Sequence, residues 1–320
     1  MADFDKIIVI TQKTGLEELV ERYNTREQAC YYLENMGIPF DRYQSAHDRY
    51  KASLAAIKET LPGGVRHQFV ERSFLPNFLF GERDMVVTLG RDGLVINTAK
   101  YLTTQPLIAI NPDPDHIDGV LIPFSVFQAN SVMRRVLAGE YRLREVTMAK
   151  TSLNDGQVLY AVNDLFIGQR TQVSAYYKIE FQGMREEQVS SGIIVSTGAG
   201  STGWFRGILT GAMGILKALS GGKPKAEHLQ HSDQKASDPY RFDWEADYLV
   251  FTVREPFPTK VSGVELVHGR INMGTELIVT SQMPQNGVIF SDGIEADYLE
   301  FNSGRIARIG VAEKKVHLVM

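Results

Sequence analysis

A glycine-bracketed loop directly after an apolar run is the feature that most limits how this chain can fold. The run is Met85–Leu89, the loop is Gly90-Arg91-Asp92-Gly93, and a helix-like segment follows from Leu94 to Thr104. A buried strand, a tight turn and a helix N-terminus can hold phosphate, because glycine permits close backbone approach and the first helical N–H groups are unpaired. An ordinary strand-to-helix turn of an α/β domain has the same pattern, so this loop alone leaves both interpretations open.

Strand-like and helical segments alternate on both sides of this loop, which predicts a parallel, doubly wound sheet. The expected strands are Lys6–Thr11, His67–Glu71 and Pro106–Ile110, and the expected helices are Gly15–Tyr23, Thr25–Met36, Asp41–Thr60 (capped by Asp41) and Ser125–Leu137. Ligands of such sheets bind at the carboxyl ends of the strands. The loop at 90–93 and the segment Asn111–His116 both fall at such ends.

The pattern changes after Gly139 to short, alternating β segments separated by turn residues. The strands expected there include Arg142–Lys150, Val158–Asn163, Leu165–Gly168, Val173–Phe181, Gly192–Ser196, Tyr248–Arg254, Val264–Val267, Glu276–Thr280, Val288–Ser291, Tyr298–Phe301 and Arg305–Val311. We therefore predict an α/β domain over residues 1–140 and a β-rich domain over residues 141–320, whose C-terminal end could return to the first. The polar segment Ser220–Ser237 is expected to be a surface loop.

Composition excludes several classes of function. A length of 320 residues favours two domains, and a formal net charge of −4 gives no electrostatic reason to expect nucleic acid as a partner. No apolar run approaches the roughly 18 to 20 residues of a membrane span, and the N-terminus lacks the features of a signal peptide. We therefore expect a cytoplasmic protein without a membrane partner. Cys30 is the single cysteine, so no intrachain disulfide can form.

A second glycine-rich loop, Ser196–Trp204, follows the apolar run Ile193–Val195 and precedes another helical segment. Ser201 is expected to cap that helix, which would leave nearby N–H groups available for a ligand, and Trp204 could stack on a base. The loop lacks the lysine of a Walker loop and is not a G-x-S-x-G nucleophile elbow. It therefore points to binding of a nucleotide rather than to hydrolysis by a serine nucleophile.

Between the two loops lies the polar pair Asn163-Asp164, at the end of an apolar run. Asparagine and aspartate are common turn residues, so a structural turn is one interpretation. The other interpretation is a binding site in which the amide and the carboxylate form hydrogen bonds with the hydroxyl groups of a ribose.

The motifs LGRDG (89–93), AVND (161–164), SGIIVSTGAGSTGW (191–204) and IFSDG (289–293) occur in an order that resembles the NAD kinase family. The sequence is most similar to the mitochondrial type of that family and its bacterial relatives. The resemblance implies an NAD kinase-like two-domain architecture. It also implies phosphoryl transfer from ATP or polyphosphate to the 2′-hydroxyl of the adenosine ribose of NAD, with Mg²⁺ on the donor, in a homo-oligomer.

The resemblance also implies roles for individual residues. Asp92 matches the catalytic aspartate, the expected base toward the ribose hydroxyl. The donor phosphates are expected to contact Gly90, Arg91, Gly93 and Asn111. The residues expected to bind NAD are Asn163, Asp164, Ser191, Ser201, Thr202, Gly203 and Trp204. No metal site built from protein side chains is expected.

Two departures from the family pattern keep other functions open. Arg91 replaces the second glycine of the first loop, although an arginine could itself contact phosphate, and Leu94 replaces its threonine. The alternatives are a non-catalytic nucleotide-binding relative, or a kinase for another hydroxyl compound, a lipid or a sugar, on the same fold.

Overall fold

The structure is a computed structural model, and it describes residues 4–220, 240–294 and 297–320. Two compact units are present: Met1–Arg144 together with His317–Met320, and Glu145–Val316. Apart from Ser220, the surface loop expected at Ser220–Ser237 lies outside the described residues. The domain roles assigned to 1–140 and 141–320 stay predictions.

The first unit contains a parallel sheet, as predicted. Its strands are β1 (Lys6–Thr11), β2 (Arg66–Glu71), β3 (Asp84–Leu89), β4 (Pro106–Asn111) and β5 (Phe124–Ser125), in the order β2-β1-β3-β4-β5. His317 and Leu318 near the C-terminus pair in parallel with Pro106 and Leu107. Because β2 lies on one side of β1 and β3 on the other, the strand order reverses between β1 and β3. A crevice for a ligand forms at such a point.

Helices cover both faces of this sheet, which confirms the doubly wound arrangement. They are α1 (Gly15–Tyr23), α2 (Arg26–Asn35), α3 (Phe40–Thr60), α4 (Asp92–Ala99) and α5 (Ala129–Ala138), with 3-10 turns at Arg72–Asn77 and Val126–Gln128. Side chains of α3 and α5 share one core with Ile7 and Val9, whereas the alternate residue Ile8 is equally buried on the other side, where α4 packs on β1 and β3. The expected cap at Asp41 is wrong, because α3 begins at Phe40 after Pro39 and places Asp41 in its first turn.

The second unit is β-rich, as predicted. Its strands are β6 (Leu143–Leu153), β7 (Val158–Ala161), β8 (Asp164–Gln169), β9 (Ala175–Phe181), β10 (Met184–Ser190), β11 (Ile193–Ser196), β12 (Tyr248–Val253), β13 (His268–Asn272), β14 (Leu277–Ser281), β15 (Gly287–Ser291), β16 (Tyr298–Glu300) and β17 (Ile306–Val319). One sheet has the antiparallel order β13-β12-β11-β8-β15-β16, and in a second sheet β10, β9, β14 and β17 are consecutive neighbours.

The two faces of the six-stranded sheet have different neighbours. Leu165 and Ile167 of β8 enter a core shared with Tyr177 and Ile179 of β9. Because side chains alternate along a strand, Phe166 points the other way, toward helix α6 (Trp204–Leu219), whose Ile208 packs beside it. This second face carries the polar residues considered below.

Two segments of the second unit depart from expectation. Strand β10 was not predicted, and the strand expected at Val264–Val267 is wrong. The carboxylate of Glu186 accepts hydrogen bonds from the backbone N–H groups of Glu265 (3.2 Å) and Leu266 (2.8 Å). These two N–H groups are therefore not available to a strand ladder, and β13 begins only at His268. No helix of the described residues is long and apolar enough to cross a membrane.

Candidate functional site

The first glycine loop leaves the sheet at the point where the strand order reverses. The N–H of Gly90 donates to the carbonyl of Ile110 on β4 at 3.1 Å, and a Cβ at Gly90 would lie 2.7 Å from Cδ2 of Leu94. A side chain at this position would therefore force Leu94 to move. The hydroxyl of Tyr50 in α3 donates to the carbonyl of Leu89 (3.2 Å) and accepts from the N–H of Gln12 (3.0 Å), which ties the ends of β1 and β3 together.

Asp92 is the first residue of α4, and the protein backbone holds both of its carboxylate oxygens. Oδ2 accepts from the N–H of Val120 and Oδ1 from the N–H of Leu121, each at 3.0 Å. A carboxylate oxygen can accept more than one hydrogen bond, so both oxygens can still receive a ligand hydroxyl. The negative charge also lies favourably at the positive end of the helix dipole.

The neighbours of Asp92 are open to solvent. Arg91 precedes the helix with φ −86° and ψ 171°, an extended conformation without strain, and its side chain is exposed. A Cβ at Gly93 would meet no atom within 4 Å. Among the described residues no side chain caps α4, and the N–H of Leu94 donates to the carbonyl of Arg91 at 2.8 Å. The other N–H groups of the first turn can bind an anion.

Asn111, expected to contact the donor, instead uses its amide to shape the loop after β4. Its Nδ2 donates to the carbonyl of Ile117 (2.8 Å) and its Oδ1 accepts from the N–H of Asp113 (2.9 Å). Asp113 in turn pairs with Arg49 (2.6 Å) and His116 (2.8 Å). Burial opposes ionisation of Asp113, but these two partners outweigh it and lower its pKa. A binding role for Asn111 stays a prediction.

In the second unit, the turn that carries Asn163 and Asp164 is held by a carboxylate from a distant part of the sequence. Oδ1 of Asp292 accepts from the consecutive backbone N–H groups of Val162 (3.1 Å), Asn163 (2.7 Å) and Asp164 (3.3 Å). The N–H of Asp292 also donates to the carbonyl of Asp164 at 2.8 Å. Asp292 adopts a left-handed conformation with φ 57°, which aspartate tolerates better than most residues.

The carboxyl group of Asp164 is buried and incompletely hydrogen-bonded. Its Oδ1 is enclosed and has no hydrogen-bond partner among the described residues. Burial raises the pKa of Asp164 to about 7; a hydrogen bond with Ser196 opposes that rise, and the charge of Asp292 adds to it. A buried acceptor without a donor is costly, so a ligand hydroxyl that donates to Oδ1 would stabilise this group.

Asn163 complements this carboxylate. Its side-chain amide has no hydrogen-bond partner among the described residues, whereas its carbonyl accepts from the N–H of Thr197 at 2.9 Å. A Cβ at Gly200 would lie 2.2 Å from the carbonyl oxygen of Asn163 and 2.7 Å from Oδ1 of Asp164. The second glycine loop therefore packs directly on the turn at Asn163 and Asp164. This contact is necessary if the loop and the turn bind one and the same ligand.

The expectation that Ser201 caps a helix is wrong. The segment Gly200–Thr202 is a 3-10 turn, and α6 begins at Trp204 with Gly203 before it. Ser201 is buried; its hydroxyl donates to the carbonyl of Gly198 (2.7 Å) and accepts from the N–H of Phe242 (3.4 Å). Ser201 therefore shapes the loop, while Thr202 and Gly203 are exposed where the loop enters α6. The NAD-binding roles of all three stay predictions.

Trp204 and Ser191 line a groove of about 500 Å³ on the α6 face of the six-stranded sheet. The ring of Trp204 is 37% exposed and stacks on Phe166, with centroids 5.7 Å apart and planes 7° apart. Phe290 stacks on the same phenylalanine at 4.8 Å. An aromatic groove of this size is typical of a small-molecule site.

Two residues that position these groups had no sequence signal strong enough to reveal their roles. Asp292 lies about 130 residues beyond the turn that it holds, and the IFSDG motif alone did not suggest a role for it. Tyr50 lies within a long polar helix. A buried tyrosine hydroxyl normally finds a partner, and burial raises the pKa of Tyr50 to about 12.

Part of the chain is similar in sequence to curated proteins. The NAD kinase of Chlorobium phaeobacteroides strain BS1 is 31% identical over 130 residues, which cover 38% of this chain and 43% of that protein. The NAD kinase of Prosthecochloris aestuarii is 31% identical over 144 residues, covering 42% of this chain and 48% of the relative. The chain thus spans about half the length of these curated relatives. No family model matches it.

Solved structures match almost the whole chain. The yeast NADH kinase in complex with NADH has a TM-score of 0.57 at 13% identity, over 99% of this chain and 84% of that one. The Archaeoglobus fulgidus NAD kinase in complex with ATP has a TM-score of 0.55 at 15% identity, over 98% and 93%. The fold is therefore that of the NAD(H) kinases. Over about two fifths of its length, the chain is also similar in sequence to curated NAD kinases.

Proposed function

We propose that this protein is an NAD kinase, which transfers a phosphoryl group from ATP or polyphosphate to the 2′-hydroxyl of the adenosine ribose of NAD. The observation that carries the proposal is the buried Oδ1 of Asp164, which has no hydrogen-bond partner among the described residues. The adjacent residue Asn163 has a side-chain amide that likewise has no partner among them. A ribose offers adjacent hydroxyl groups that can donate to a carboxylate and accept from an amide. The curated relatives are named NAD kinases, which supports NAD as the phosphoryl acceptor. The Archaeoglobus structure contains ATP, which supports ATP as the donor.

In this proposal the second unit binds the acceptor. Asp292 fixes the turn, so that Asn163 and Asp164 meet the ribose with little loss of side-chain freedom. Burial keeps Asp164 partly protonated near neutral pH, and donated ribose hydroxyls would stabilise its charged form. Such positioning contributes much of the rate in phosphoryl transfer, where protein groups have little covalent chemistry to perform.

The first unit supplies the proton acceptor and the phosphate contacts. Asp92 accepts the proton of the 2′-hydroxyl as the new oxygen–phosphorus bond forms and the bond from that phosphorus to the rest of the donor breaks, which releases ADP or a shortened polyphosphate. The backbone N–H groups of Val120 and Leu121 keep the carboxylate of Asp92 in place. The uncapped N–H groups of α4 and the open space at Gly93 suit a donor phosphate. Arg91 is exposed next to them and can add a charged contact.

Magnesium is expected to arrive with the donor. Among the described residues no group of three or more His, Cys, Asp or Glu side chains could hold a metal. Mg²⁺ commonly uses one or two carboxylates together with substrate phosphates, so this donor set fits a shared ion. Asp92, between Arg91 and Gly93 in the first loop, would be the protein carboxylate that holds it. When bound, the ion would neutralise charge on the donor phosphates.

The structure gives less support to the alternatives. Arg91 occupies its position without backbone strain, and Leu94 is 1% exposed and packs under the loop, so neither departure distorts the turn. No observed feature favours a lipid or sugar acceptor. A homo-oligomer stays a proposal; exposed Ile215, Leu216 and Leu219 on α6 support it, because apolar surface of this kind often marks an interface. The cytoplasmic location stays a prediction.

The test is the formation of NADP or NADPH by the purified protein with Mg²⁺ and either ATP, GTP or polyphosphate. We expect product with at least one donor. Binding of NAD without product under every donor would instead establish the non-catalytic relative. Phosphorylation of a sugar or lipid head group in preference to NAD would establish the third alternative.

A further inference from the structure

The proposed ribose site and the aromatic groove are neighbours on one face of β8. Asp164 and Phe166 are two residues apart on this strand, so their side chains leave the same face about 7 Å apart. Gly168 and Gly192 leave room for the ring of Phe166, since a Cβ at either position would lie within 2.8 Å of that ring. Because Phe166 lines the groove, a ligand held at Asp164 lies about 7 Å from the groove wall.

If the adenosine ribose is held at Asp164, the other end of the dinucleotide is the nicotinamide nucleotide. The groove beside Asp164 has a volume of about 500 Å³ and an aromatic wall, which suits a planar ring with its ribose. The ring of this end exists in two forms that differ in charge. It is a cation in NAD⁺ and neutral in NADH, so the charge of the groove decides which form binds better.

The groove carries two arginines that have no carboxylate partner among the described residues. The guanidinium of Arg254 lies 5.2 Å from the ring centroid of Trp204, and that of Arg170 lies 4.0 Å from the centroid of Tyr298. Glu255 also lines the groove, but in the described part of the chain it is not ion-paired with either arginine. The local charge is therefore positive. The arginines also occupy aromatic faces that would otherwise attract a cationic ring.

We propose, on the basis of the proposed function, that this groove binds the nicotinamide nucleotide and that Arg254 and Arg170 make it select the neutral reduced ring of NADH over the cationic ring of NAD⁺. The pyrophosphate is common to both forms, so its attraction to the arginines leaves the ratio unchanged. A like charge about 7 Å away in a partly screened site corresponds to about a tenfold difference in affinity. That is the preference for NADH expected of the wild-type protein.

The experiment measures kcat/KM for NADH and for NAD⁺ in parallel, with the donor held saturating. Arg254→Gln is expected to reduce the preference for NADH severalfold, and Glu255→Gln to increase it. Arg308→Gln is the matched control, because Arg308 on β17 pairs at 3.0 Å with Glu276, the residue before β14, and does not line the groove. Its ratio should equal that of the wild type. The preference should also shrink as salt is raised, since the charges are partly exposed.

A second readout does not depend on turnover. Calorimetry with oxidised and reduced nicotinamide mononucleotide should show tighter binding of the reduced form, and Arg254→Gln should remove most of the difference. Equal use of NADH and NAD⁺ by the wild type, or an unchanged ratio in Arg254→Gln, would overturn the inference. If neither dinucleotide is phosphorylated with any donor, the proposed function fails, and the calorimetric comparison alone then decides the charge selectivity of the groove.

Discussion

Asp92 and Asp164 each lie beside a strand end and a glycine loop, but their surroundings differ. Both oxygens of Asp92 accept backbone N–H groups, each at 3.0 Å. Oδ1 of Asp164 is buried without a donor among the described residues, and burial raises the pKa of this carboxyl to about 7. The protein itself fixes the first carboxylate, whereas the second depends on a ligand to complete its hydrogen bonds.

This difference matches the roles proposed for the two residues. A general base must be ionised and held in place before the acceptor arrives, because its geometry sets the rate of proton transfer. A carboxylate that binds a ligand contributes most to affinity when the protein leaves one of its oxygens without a donor. The ligand then supplies that hydrogen bond, which offsets the cost of burying the oxygen. The four predictions that follow test this contrast, from the largest expected effect to the smallest.

Asp92→Asn is expected to reduce kcat by roughly 10²- to 10⁴-fold, the range for removal of a general base. The affinity for NAD should change little, because the amide oxygen of asparagine can still accept a hydrogen bond from the 2′-hydroxyl and the other proposed contacts to NAD are intact. The measurements are NADP formation and calorimetric binding of NAD, with thermal melting to confirm folding. Asp41→Asn, an exposed carboxylate in the first turn of α3, is the control. Full activity of Asp92→Asn would exclude this carboxylate as the base.

Asp164→Asn is expected to weaken NAD binding by roughly 10- to 100-fold, as for loss of a charge-assisted hydrogen bond. It should also change how stability depends on pH. The folded-state pKa of about 7 lies above the ordinary value of 3.8, so between these values the folded protein retains a proton that the unfolded chain has lost. This contribution to the stability of the wild type is therefore lost as the pH rises from about 4 to about 7.

The asparagine variant should lack that slope and be more stable than the wild type near pH 8, by at most about 4 kcal/mol if the full shift is expressed. Urea unfolding at pH 5 and pH 8 measures it. A variant less stable than the wild type at pH 8, or one that still binds NAD normally, would contradict the assignment of Asp164 as a strained binding group.

Asp292→Asn is expected to raise the KM for NAD about tenfold and to cost about 1 to 3 kcal/mol of unfolding free energy, because buried N–H groups lose their charged acceptor. Asparagine accepts a left-handed backbone as well as aspartate does, so φ 57° is preserved. Asp247→Asn is the control; this carboxylate is exposed and lies 3.6 Å from Lys315. If Asp292→Asn lowers stability and leaves KM unchanged, Asp292 supports the fold and does not position the NAD site.

The parts of the molecule that could be predicted are those in which neighbouring residues determine the outcome. The parallel strands followed from short apolar runs such as Lys6–Thr11, because both faces of such strands are buried. The missed strand β10, Met184–Ser190, is rich in charged and polar residues. Its stronger signal was the preceding turn, where Gln182 (φ 49°) and Gly183 (φ 83°) have the positive angles of a two-residue hairpin.

The site could be predicted as a set of motifs but not as a set of contacts. The order of motifs implied that Asn163 and Asp164 act together. The group that holds their turn is the carboxylate of Asp292, and only the tertiary fold brings it near them. For Ser201 the local sequence was misleading. The capping rule predicts a helix that begins after Ser201, with N–H groups open to a ligand. In the structure Ser201 is buried in a 3-10 turn, and the helix begins only at Trp204. Local rules do not determine which polar groups the fold itself uses.

Gly93→Ala is expected to have the smallest effect and to separate packing from binding in the first loop. A Cβ there meets no protein atom within 4 Å, so stability should be unchanged or higher by at most about 1 kcal/mol. If a donor phosphate approaches the N-terminus of α4, the new methyl should weaken ATP binding by about tenfold. Gly211→Ala in α6 is the matched control, since its Cβ also meets open space; it should keep the affinity for ATP.

Equal ATP affinity in the two alanine variants would mean that the open space at Gly93 is not used by the donor. The first loop would then need glycine only at Gly90, where a Cβ lies 2.7 Å from Leu94, and the uncapped helix would no longer support a phosphate site. A selective loss in Gly93→Ala has the opposite meaning. The space at Gly93 would then be the place where the donor phosphate binds. In the same way, Oδ1 of Asp164, which has no donor among the described residues, would be the atom to which the ribose donates.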